Sequence, residues 1–373
     1  MQTTNLQIPL ILKAFQGQPT DRIPVWFMRQ AGRYLPEYNQ IRSGLSFMDL
    51  TMNVDLACEV SIQPYIRFGL DAIIMFSDIL TPLSGAGVPL HFEEKRGPIL
   101  SKTISSESDL TILDSFDPNR DTPFVKEILQ TLIGKLTSSA PPEPQNHFLS
   151  KEDVKNITRP GLLGFAGAPF TLASYLIEGG TSKKFDKTKK FMYSHTNLFH
   201  KLSDRLASMT IDYLTMQLQS GADAVQIFDS WGGILSPSDY AEFSLPYTKK
   251  IIDGLKQNSE ISEKPVILFV GNGAHLLDQM SSQRPDVISL DWRVSLDEAK
   301  RFISGDIALQ GNMDPLVLYG TKDRVKQETT RILDEFSNRK GYVFNLGHGI
   351  HPEAPIECVE TMIQTVRNYK KPV

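Results

Sequence analysis

Residues 266–270 read VILFV, five apolar side chains in a row with no polar residue between them. The runs AIIMF at 72–76 and YVFNL at 342–346 have nearly the same character. A strand with one solvated face alternates apolar and polar residues, whereas a strand covered on both faces is apolar almost throughout. These runs therefore predict strands of a parallel sheet whose two faces are both buried.

Eight such runs occur along the chain, and segments with helical periodicity lie between them. The predicted strands are Ile23–Met28, Ala72–Phe76, Leu162–Phe165, Ala224–Phe228, Val266–Val270, Val287–Leu290, Ile307–Gln310 and Tyr342–Asn345. The predicted helices include Phe47–Ile66, Leu198–Leu218, Asp297–Ser304 and Lys322–Phe336. Strands that alternate with helices indicate βαβ units, hence an α/β fold.

Polar residues follow most of the predicted strands. They are Arg29, Gln30, Asp78, Asp229, Ser230, Asn272, Asp291, Asn312, Asp314 and His348. In a (β/α)8 barrel these positions converge on the C-terminal mouth, whereas a doubly wound sheet would scatter them along an edge. We therefore predict a single (β/α)8 TIM barrel over residues 1–373, with its active site at the C-terminal mouth of the strands.

Two stretches interrupt the alternation. An excursion at 79–160 separates the second and third predicted strands. Within it we predict a hairpin of Val88–Phe92 and Pro98–Leu100, a helix near Phe124–Leu136 and a surface connection at Ser138–Gln145. The later stretch Glu178–Lys190, EGGTSKKFDKTKK, predicts a mobile basic loop.

Composition excludes several classes of protein. The net charge of −4 argues against a nucleic-acid-binding chain, which usually has a basic excess. No apolar run approaches the length of a membrane span, and the N-terminus lacks the features of a signal peptide, so we expect a cytoplasmic protein. The two cysteines, Cys58 and Cys358, lie in no metal-binding or disulfide motif.

The stretch Pro24–Arg42, PVWFMRQAGRYLPEYNQIR, is rich in arginine. Between residues 22 and 42 there are four arginines, Arg22, Arg29, Arg33 and Arg42, and one acid, Glu37. Guanidinium groups bind carboxylates and phosphates through paired hydrogen bonds, so a cluster after a barrel strand predicts an anionic ligand. The alternative is a solvated loop whose arginines pair with Glu37 and its neighbours. A helical turn here would place Arg29 and Arg33 on one face.

Two further candidates follow the second and third strands. Asp78, in MFSDIL, suits binding of N–H groups or of a developing cation, and the alternative is an N-cap of the next turn. Tyr175, in GFAGAPFTLASYLIEGG, suits hydrogen-bond donation into a cavity, and the alternative is a core tyrosine.

Two more candidates follow later strands. Ser230, in QIFDSWGG, lies outside any G-x-S-x-G motif, so a serine hydrolase is a weak interpretation. His348, in NLGHGI, is flanked by two glycines, which favours a functional histidine over a surface one. The spacing of His348 and His351 lacks the cysteine or carboxylate that would indicate a zinc site.

The stretches PVWFMRQAGRYLPEY and GFAGAPFTLASYLIEGG resemble the uroporphyrinogen decarboxylase family. The resemblance continues through LDAIIMFSDIL, AVQIFDSWGG, ISLDW, LQGNMDP and NLGHGIHP, and so covers about residues 10–368. It implies a (β/α)8 barrel that converts uroporphyrinogen III, a polyanionic tetrapyrrole, into coproporphyrinogen III by removing four acetate carboxyls. It also implies that no cofactor and no metal takes part, and that the protein is a homodimer.

The resemblance also implies residue roles. Arg29, Gln30, Arg33 and Arg42 match the family's N-terminal substrate-binding residues, and Asp78 matches its pyrrole-binding aspartate. Tyr175, Phe228, Ser230 and His348 match other residues of the cavity. We assign catalysis to Asp78, Arg29 and Tyr175, and substrate binding to Arg29, Gln30, Arg33, Arg42, Phe228, Ser230 and His348. The Ser138–Lys155 region looks longer than in many members of the family.

The chemistry of the implied reaction suits these residues. Loss of CO2 from an acetate arm leaves an electron pair, which a pyrrole protonated at the adjacent ring carbon accepts. Asp78 would stabilise that cation, while Arg33 and Arg42 would hold carboxylates away from the reacting arm. Arg29 is the best-placed proton donor; because an arginine stays protonated to about pH 12, a water or another group is the alternative. Few arginines should lie beside the reacting acetate, because ground-state binding does not speed the chemical step.

Two other functions compete with this interpretation. One is a corrinoid-linked methyltransferase of the same barrel superfamily, which would need His and Cys ligands grouped around zinc. The other is a tetrapyrrole-binding protein that has lost catalysis but kept the cavity, since a shared fold does not fix function.

Overall fold

The structure is a computed structural model, and it describes residues 8–93, 96–145, 158–335 and 341–370. In these residues the chain has a mixed α/β fold built on a curled, parallel seven-stranded sheet in the order β1-β4-β5-β6-β7-β8-β9. The strands are β1 (Ala72–Ile74), β4 (Gly161–Gly167), β5 (Ala224–Asp229), β6 (Val266–Val270), β7 (Val287–Ser289), β8 (Ala308–Met313) and β9 (Tyr342–Leu346). A separate antiparallel hairpin pairs β2 (Leu90–Glu93) with β3 (Gly97–Leu100).

Helices flank these strands. In the first half they are α1 (Leu10–Phe15), α2 (Pro36–Arg42), α3 (Phe47–Met52), α4 (Val54–Phe68), α5 (Thr81–Gly85), α6 (Pro118–Asp121), α7 (Pro123–Leu136) and α8 (Pro169–Glu178). In the second half they are α9 (Asp186–Ser194), α10 (Thr196–Gln219), α11 (Pro237–Phe243), α12 (Leu245–Gln257), α13 (Leu277–Ser282), α14 (Leu296–Phe302), α15 (Lys322–Glu335) and α16 (Ile356–Arg367). Short 3-10 turns lie at Glu107–Leu113, Gly232–Ile234, Ala274–Leu276 and Pro315–Tyr319.

The same pair of hydrogen bonds occurs at the N-terminal ends of three strands. Asp71, just before β1, accepts from the backbone N–H of Val25 at 2.8 Å, and its own N–H donates to the carbonyl of Val25 at 2.9 Å. Asp223, before β5, makes the same pair of bonds with Leu162 of β4, both at 2.7 Å. We call this arrangement the aspartate clamp, and in both cases it fixes an aspartate to the strand that precedes it in the sheet.

A third clamp and three basic side chains complete the pattern. Asp286, before β7, accepts from Val266 of β6 at 2.7 Å and donates back at 3.1 Å. The clamp carboxylates pair with Arg22, Arg159 and Lys256, at 2.6 Å, 2.7 Å and 2.7 Å respectively. Burial alone would raise the pKa of Asp71, but the charge and hydrogen bonds of Arg22 outweigh burial and lower it.

The first predicted strand, Ile23–Met28, forms only an isolated bridge between Val25 and Phe344 of β9, not a regular strand. The backbone of this segment nevertheless forms hydrogen bonds at both edges of the sheet. Phe344 donates to the carbonyl of Pro24 at 2.9 Å on one side, and Asp71 clamps Val25 on the other. The segment therefore lies between β9 and β1.

A buried cluster fills the inside of the curled sheet. It contains Ala72, Leu163, Ala224, Ile267, Phe269, Val287, Ala308 and Val343 from the seven strands, Trp26 and Met28 from the first segment, and Ile11, Ala14 and Phe15 of α1. The indole of Trp26 donates to Gln310 of β8, which in turn donates to Gln226 of β5 at 3.1 Å. The interior is thus packed and hydrogen-bonded across the sheet.

Several sequence-based boundaries need correction. The predicted helix Phe47–Ile66 is two helices, because Asn53 leaves helical geometry and caps α4 through the N–H of Leu56. The predicted loop Glu178–Lys190 is wrong in its second half, where α9 begins at Asp186. The hairpin and the helix over 124–136 in the excursion are confirmed, while residues 146–157 lie outside the described part of the chain.

Replacing a clamp aspartate tests this account of the sheet. We expect Asp71→Ala to lower the free energy of unfolding by about 3–5 kcal/mol, because it removes the buried carboxylate that pairs with Arg22 and accepts from the Val25 N–H. Asp253→Ala is the matched control, since its pair with Lys249 lies within one helix and is nearly half exposed on both sides; it should cost at most about 1 kcal/mol. Equal losses in urea titrations of the two variants would contradict a special role for the clamp.

Candidate active site

Arg29 is the first candidate residue along the chain, and it directly follows the segment Ile23–Met28. Its φ of 61° is left-handed, which is uncommon and costly for a residue with a side chain. The side chain lies across Gly349, where an added Cβ would stand 2.4 Å from the Arg29 Cδ. The glycine after His348 thus makes room for the guanidinium. This stretch forms turns rather than a helix, so Arg29 and Arg33 do not share a helical face.

Asp78 and Tyr175 lie together with Arg29. The carboxylate of Asp78 accepts from the N–H of Leu80 at 2.8 Å, so the predicted alternative, a turn cap, is also present. Burial raises the pKa of Asp78, and the Leu80 N–H and the charge of Arg29 offset only part of this rise. Burial, together with the nearby Asp78, raises the pKa of Tyr175 far enough to keep its hydroxyl protonated.

A buried hydroxyl cluster supports Asp78, and sequence reasoning missed it. Ser77 and Thr81 share a hydrogen bond at 3.0 Å. The phenol of Tyr213, fully buried on α10, lies against both hydroxyls and within electrostatic reach of Asp78. Tyr213 is far from Asp78 in sequence and sits in a regular helical pattern, so no local motif indicates it.

The ring of Tyr175 is fixed by a second set of missed residues. It lies over Trp231, with centroids 4.1 Å apart, and Phe185 packs edge-on against the other part of the indole at 4.8 Å. The backbone N–H of Trp231 donates to the Thr171 hydroxyl at 3.3 Å, and that hydroxyl donates to Asp229 at 2.8 Å. Burial raises the pKa of Asp229 to about 6, although hydrogen bonds from Ser244 and Thr171 oppose the rise.

His348 is held neutral on the other side of Arg29. Burial lowers its pKa to about 4, the charge of Arg29 adds to this effect, and Asp291 acts against it. The imidazole stands edge-to-face with Phe269 and Trp292, each with its centroid 6.3 Å away. At neutral pH His348 is therefore a hydrogen-bonding group rather than a cation.

Arg33 and Arg42 both lie within electrostatic reach of Tyr38. Burial raises the pKa of the Tyr38 phenol, and the charges of Arg42 and Arg33 both lower it, so both guanidinium groups lie near that hydroxyl. The Tyr38 ring contacts Phe76 edge-on at 5.8 Å, two residues before Asp78. The two arginines thus stand at the β1 side of the site.

The remaining predicted residues have different surroundings. Gln30 is fully buried and its amide donates to the carbonyl of Ala72 at the start of β1, so it is not grouped with the arginine side chains. Phe228 packs edge-on between Phe165 and Phe269, at 5.7 and 5.9 Å. Ser230 is half-buried one residue past β5.

Other polar residues at strand ends are structural. Asn312 donates to the carbonyls of Asp291 and Val294, and Asp314 caps the following turn through the N–H of Leu316. In the described residues, no group of three or more His, Cys, Asp or Glu side chains is placed to hold a metal ion. Cys58 and Cys358 are free and buried on α4 and α16.

A family model for uroporphyrinogen decarboxylase matches residues 6–369. The chain belongs to the uroporphyrinogen decarboxylase family. It is 44% identical to the uroporphyrinogen decarboxylase of Pseudoalteromonas translucida, over 96% of each chain, and 44% identical to that of Hydrogenovibrio crunogenus, over 97% of each chain. These matches confirm the resemblance seen in the sequence and the predicted enzyme class, a carboxy-lyase of tetrapyrrole biosynthesis.

A solved methyltransferase from Methanosarcina mazei has the same fold, with a TM-score of 0.73 over 95% of this chain and 96% of the other. Its 19% identity supports a common fold and says nothing of a common reaction. Where the chain is described, its helices are too short or too polar to span a bilayer.

The protonation of His348 is open to a stability test. Because the folded pKa is about 4 and the unfolded value about 6.5, the unfolded chain binds the extra proton as the pH falls between these values. The contribution of His348 to stability is therefore complete above pH 6.5 and is lost towards pH 4. We expect His348→Gln to gain up to about 3 kcal/mol relative to the parent protein over this range, measured by urea unfolding.

Phe165→Leu is the control, because it removes aromatic packing against Phe228 and leaves the rings that contact the imidazole in place. Its stability difference from the parent should stay constant between pH 7 and 4. If the His348→Gln difference were equally constant, the imidazole would not be desolvated as described.

Proposed function

We propose that the chain removes the four acetate carboxyls of uroporphyrinogen III, giving coproporphyrinogen III and CO2 without a metal or cofactor. The observation that carries this proposal is the grouping of a desolvated acid, Asp78, with Arg29 and Tyr175 in a member of a decarboxylase family. The substrate provides its own electron sink once a pyrrole carbon is protonated. The protein then has to stabilise a cation and hold a polyanion.

Asp78 stabilises the pyrrole cation. A carboxylate that burial partly desolvates gains more from a nearby cation than a fully solvated one, because the local dielectric is lower. The N–H of Leu80 occupies one acceptor position of the carboxylate, and others remain for pyrrole N–H groups. The hydroxyl cluster of Ser77, Thr81 and Tyr213 fixes the turn that presents it.

Arg29 and Tyr175 act on either side of that acid. Arg29 either transfers the proton to the pyrrole carbon or orients the water that does. Tyr175, protonated and stacked on Trp231, donates a hydrogen bond towards Asp78 or the substrate. The uncharged imidazole of His348 contributes a hydrogen bond without adding a cation beside the departing carboxylate.

The substrate carboxylates are held by the outer arginines. Arg33 and Arg42 form an anion-binding pair around Tyr38, and Phe228 and Ser230 complete the wall on the β5 side. Gln30 acts through its bond to β1, holding the arginine-bearing turn in place.

The complete fold in this proposal is a single-domain (β/α)8 barrel. The aspartate clamp joins residues 24–28 to β1 in the same way as it joins β4 to β5 and β6 to β7. Phe344 joins the same residues to β9, so this segment serves as the eighth strand. The proposal includes a cytoplasmic homodimer; the exposed Leu316 and Tyr319 beyond β8 offer apolar surface at the mouth for a second copy.

The direct test is an anaerobic incubation with freshly reduced uroporphyrinogen III after treatment of the protein with a chelator. Products are oxidised to porphyrins and separated by carboxyl number. Species with seven, six, five and four carboxyls are the expected result. Unchanged eight-carboxyl porphyrin from folded protein would contradict the proposal and direct attention to a binding protein or to a methyltransferase.

Asp78→Asn tests the cation-stabilising role. It keeps the size and the acceptor for Leu80 but removes the charge, and we expect kcat to fall by about 100-fold or more. Asp314→Asn is the matched control at the same end of the sheet, because its carboxylate only caps a turn, and kcat should change less than about twofold. Full kcat in Asp78→Asn would show that the carboxylate does not stabilise the cation.

A further inference from the structure

Arg293 is a cation at the mouth that neither the sequence motifs nor the reaction has so far used. It lies four residues beyond β7, directly after Asp291 and Trp292. Its side chain is 46% exposed, while that of its partner Asp291 is only 2% exposed. Trp292 packs edge-on against His348, and Asp291 lies close enough to influence the His348 pKa. Arg293 therefore lies just outside the site, next to two residues that contact or influence His348.

The guanidinium of Arg293 is held by two contacts. Its Nη1 donates to Asp291 Oδ2 at 2.7 Å, and its Cζ lies 3.8 Å from the centroid of the Trp292 ring. Asp291 also accepts from the N–H groups of Asn272 and Arg293. The carboxylate is thus anchored to the backbone, and with the indole it fixes the plane of the guanidinium.

This arrangement leaves donors for a ligand. A guanidinium has five N–H groups, and in the residues the structure describes only the bond to Asp291 uses one. Stacking on an indole leaves the in-plane N–H groups free to meet a carboxylate edge-on, and it lowers the entropy lost on binding. The Arg293 guanidinium is therefore held in an orientation that can bind an anion.

The position of Arg293 complements the other arginines. Arg33 and Arg42 lie within electrostatic reach of Tyr38, whose ring contacts Phe76 just past β1, whereas β7 is four strands further along the sheet. In a curled sheet this places Arg293 on the far side of the mouth. A macrocycle with carboxylates on all four pyrroles needs cations on both sides.

We propose that Arg293 binds a propionate carboxylate of the substrate, with Trp292 and Asp291 as its positioning residues. This inference rests on the proposed function. A propionate suits the site because all four propionates survive the reaction, so a fixed cation serves every step. A guanidinium that bound the departing acetate would instead stabilise the ground state and slow its loss.

The test compares Arg293→Gln with the parent protein in two measurements. We expect KM for uroporphyrinogen III and the inhibition constant of coproporphyrinogen III to rise together by about 10-fold, with kcat changed less than twofold. Coproporphyrinogen carries only propionates, so its inhibition constant reports their binding alone. Arg293→Lys, which keeps the charge but loses the planar fork, should recover part of both values.

Arg284→Gln is the control for overall charge. Arg284 precedes β7, at the opposite end of the strand, and its pair with Asp306 is exposed, so both constants should stay within twofold of the parent. If Arg293→Gln behaves in the same way, or raises KM without raising the inhibition constant, the proposal is wrong. An inactive parent protein would instead overturn the proposed function, and the two failures are therefore separable.

A second variant excludes a purely structural cause. Arg293→Gln leaves the buried Asp291 unpaired, and this alone could disturb the site. Asp291→Asn combined with Arg293→Gln removes both charges together. The inhibition constant of coproporphyrinogen should stay raised in this double variant; a return to the parent value would show that Arg293 only neutralises Asp291.

Discussion

The fold depends on aspartates that join one parallel strand to the next. In each aspartate clamp the carboxylate accepts from the strand before it, and the aspartate N–H donates back to the same residue. Two bonds to one residue fix the register, and in a parallel sheet the register decides which residues reach the C-terminal edge together. The clamp between Val25 and Asp71, together with the Val25–Phe344 bridge, sets the register of the three segments that precede Arg29, Asp78 and His348.

The strand pattern is readable from the sequence because seven of the eight apolar runs lie in the sheet, where burial on both faces demands uniform apolarity. The exception, Ile23–Met28, shows the limit of that signal. It is as apolar as the others, yet Pro24 has no N–H to donate and the regular ladder is reduced to a bridge at Val25. Likewise, Phe47–Ile66 has one helical rhythm throughout, and only the capping side chain of Asn53 divides it.

The candidate site is readable only in part, for a physical reason. Charged residues after strands stand out, so Arg29, Asp78 and His348 are found from the sequence alone. The groups that set their behaviour come from distant helices and loops: Tyr213 beneath Asp78, and Thr171 and Trp231 behind Tyr175. In the sequence these look like core residues, and they are core residues; tertiary packing alone gives them a second role.

Burial separates the titratable groups of the site into an inner, desolvated set and an outer, exposed set. Desolvation shifts the titration of two inner groups, raising the pKa of Asp78 and lowering that of His348. The outer arginines, Arg33 and Arg293 among them, are exposed to water. A polyanion is therefore attracted at the rim, where holding a carboxylate does no harm to the reaction. In the proposed reaction the reacting acetate then occupies the poorly solvated interior, where its own charge is least stable and where the neutral loss of CO2 is most favoured.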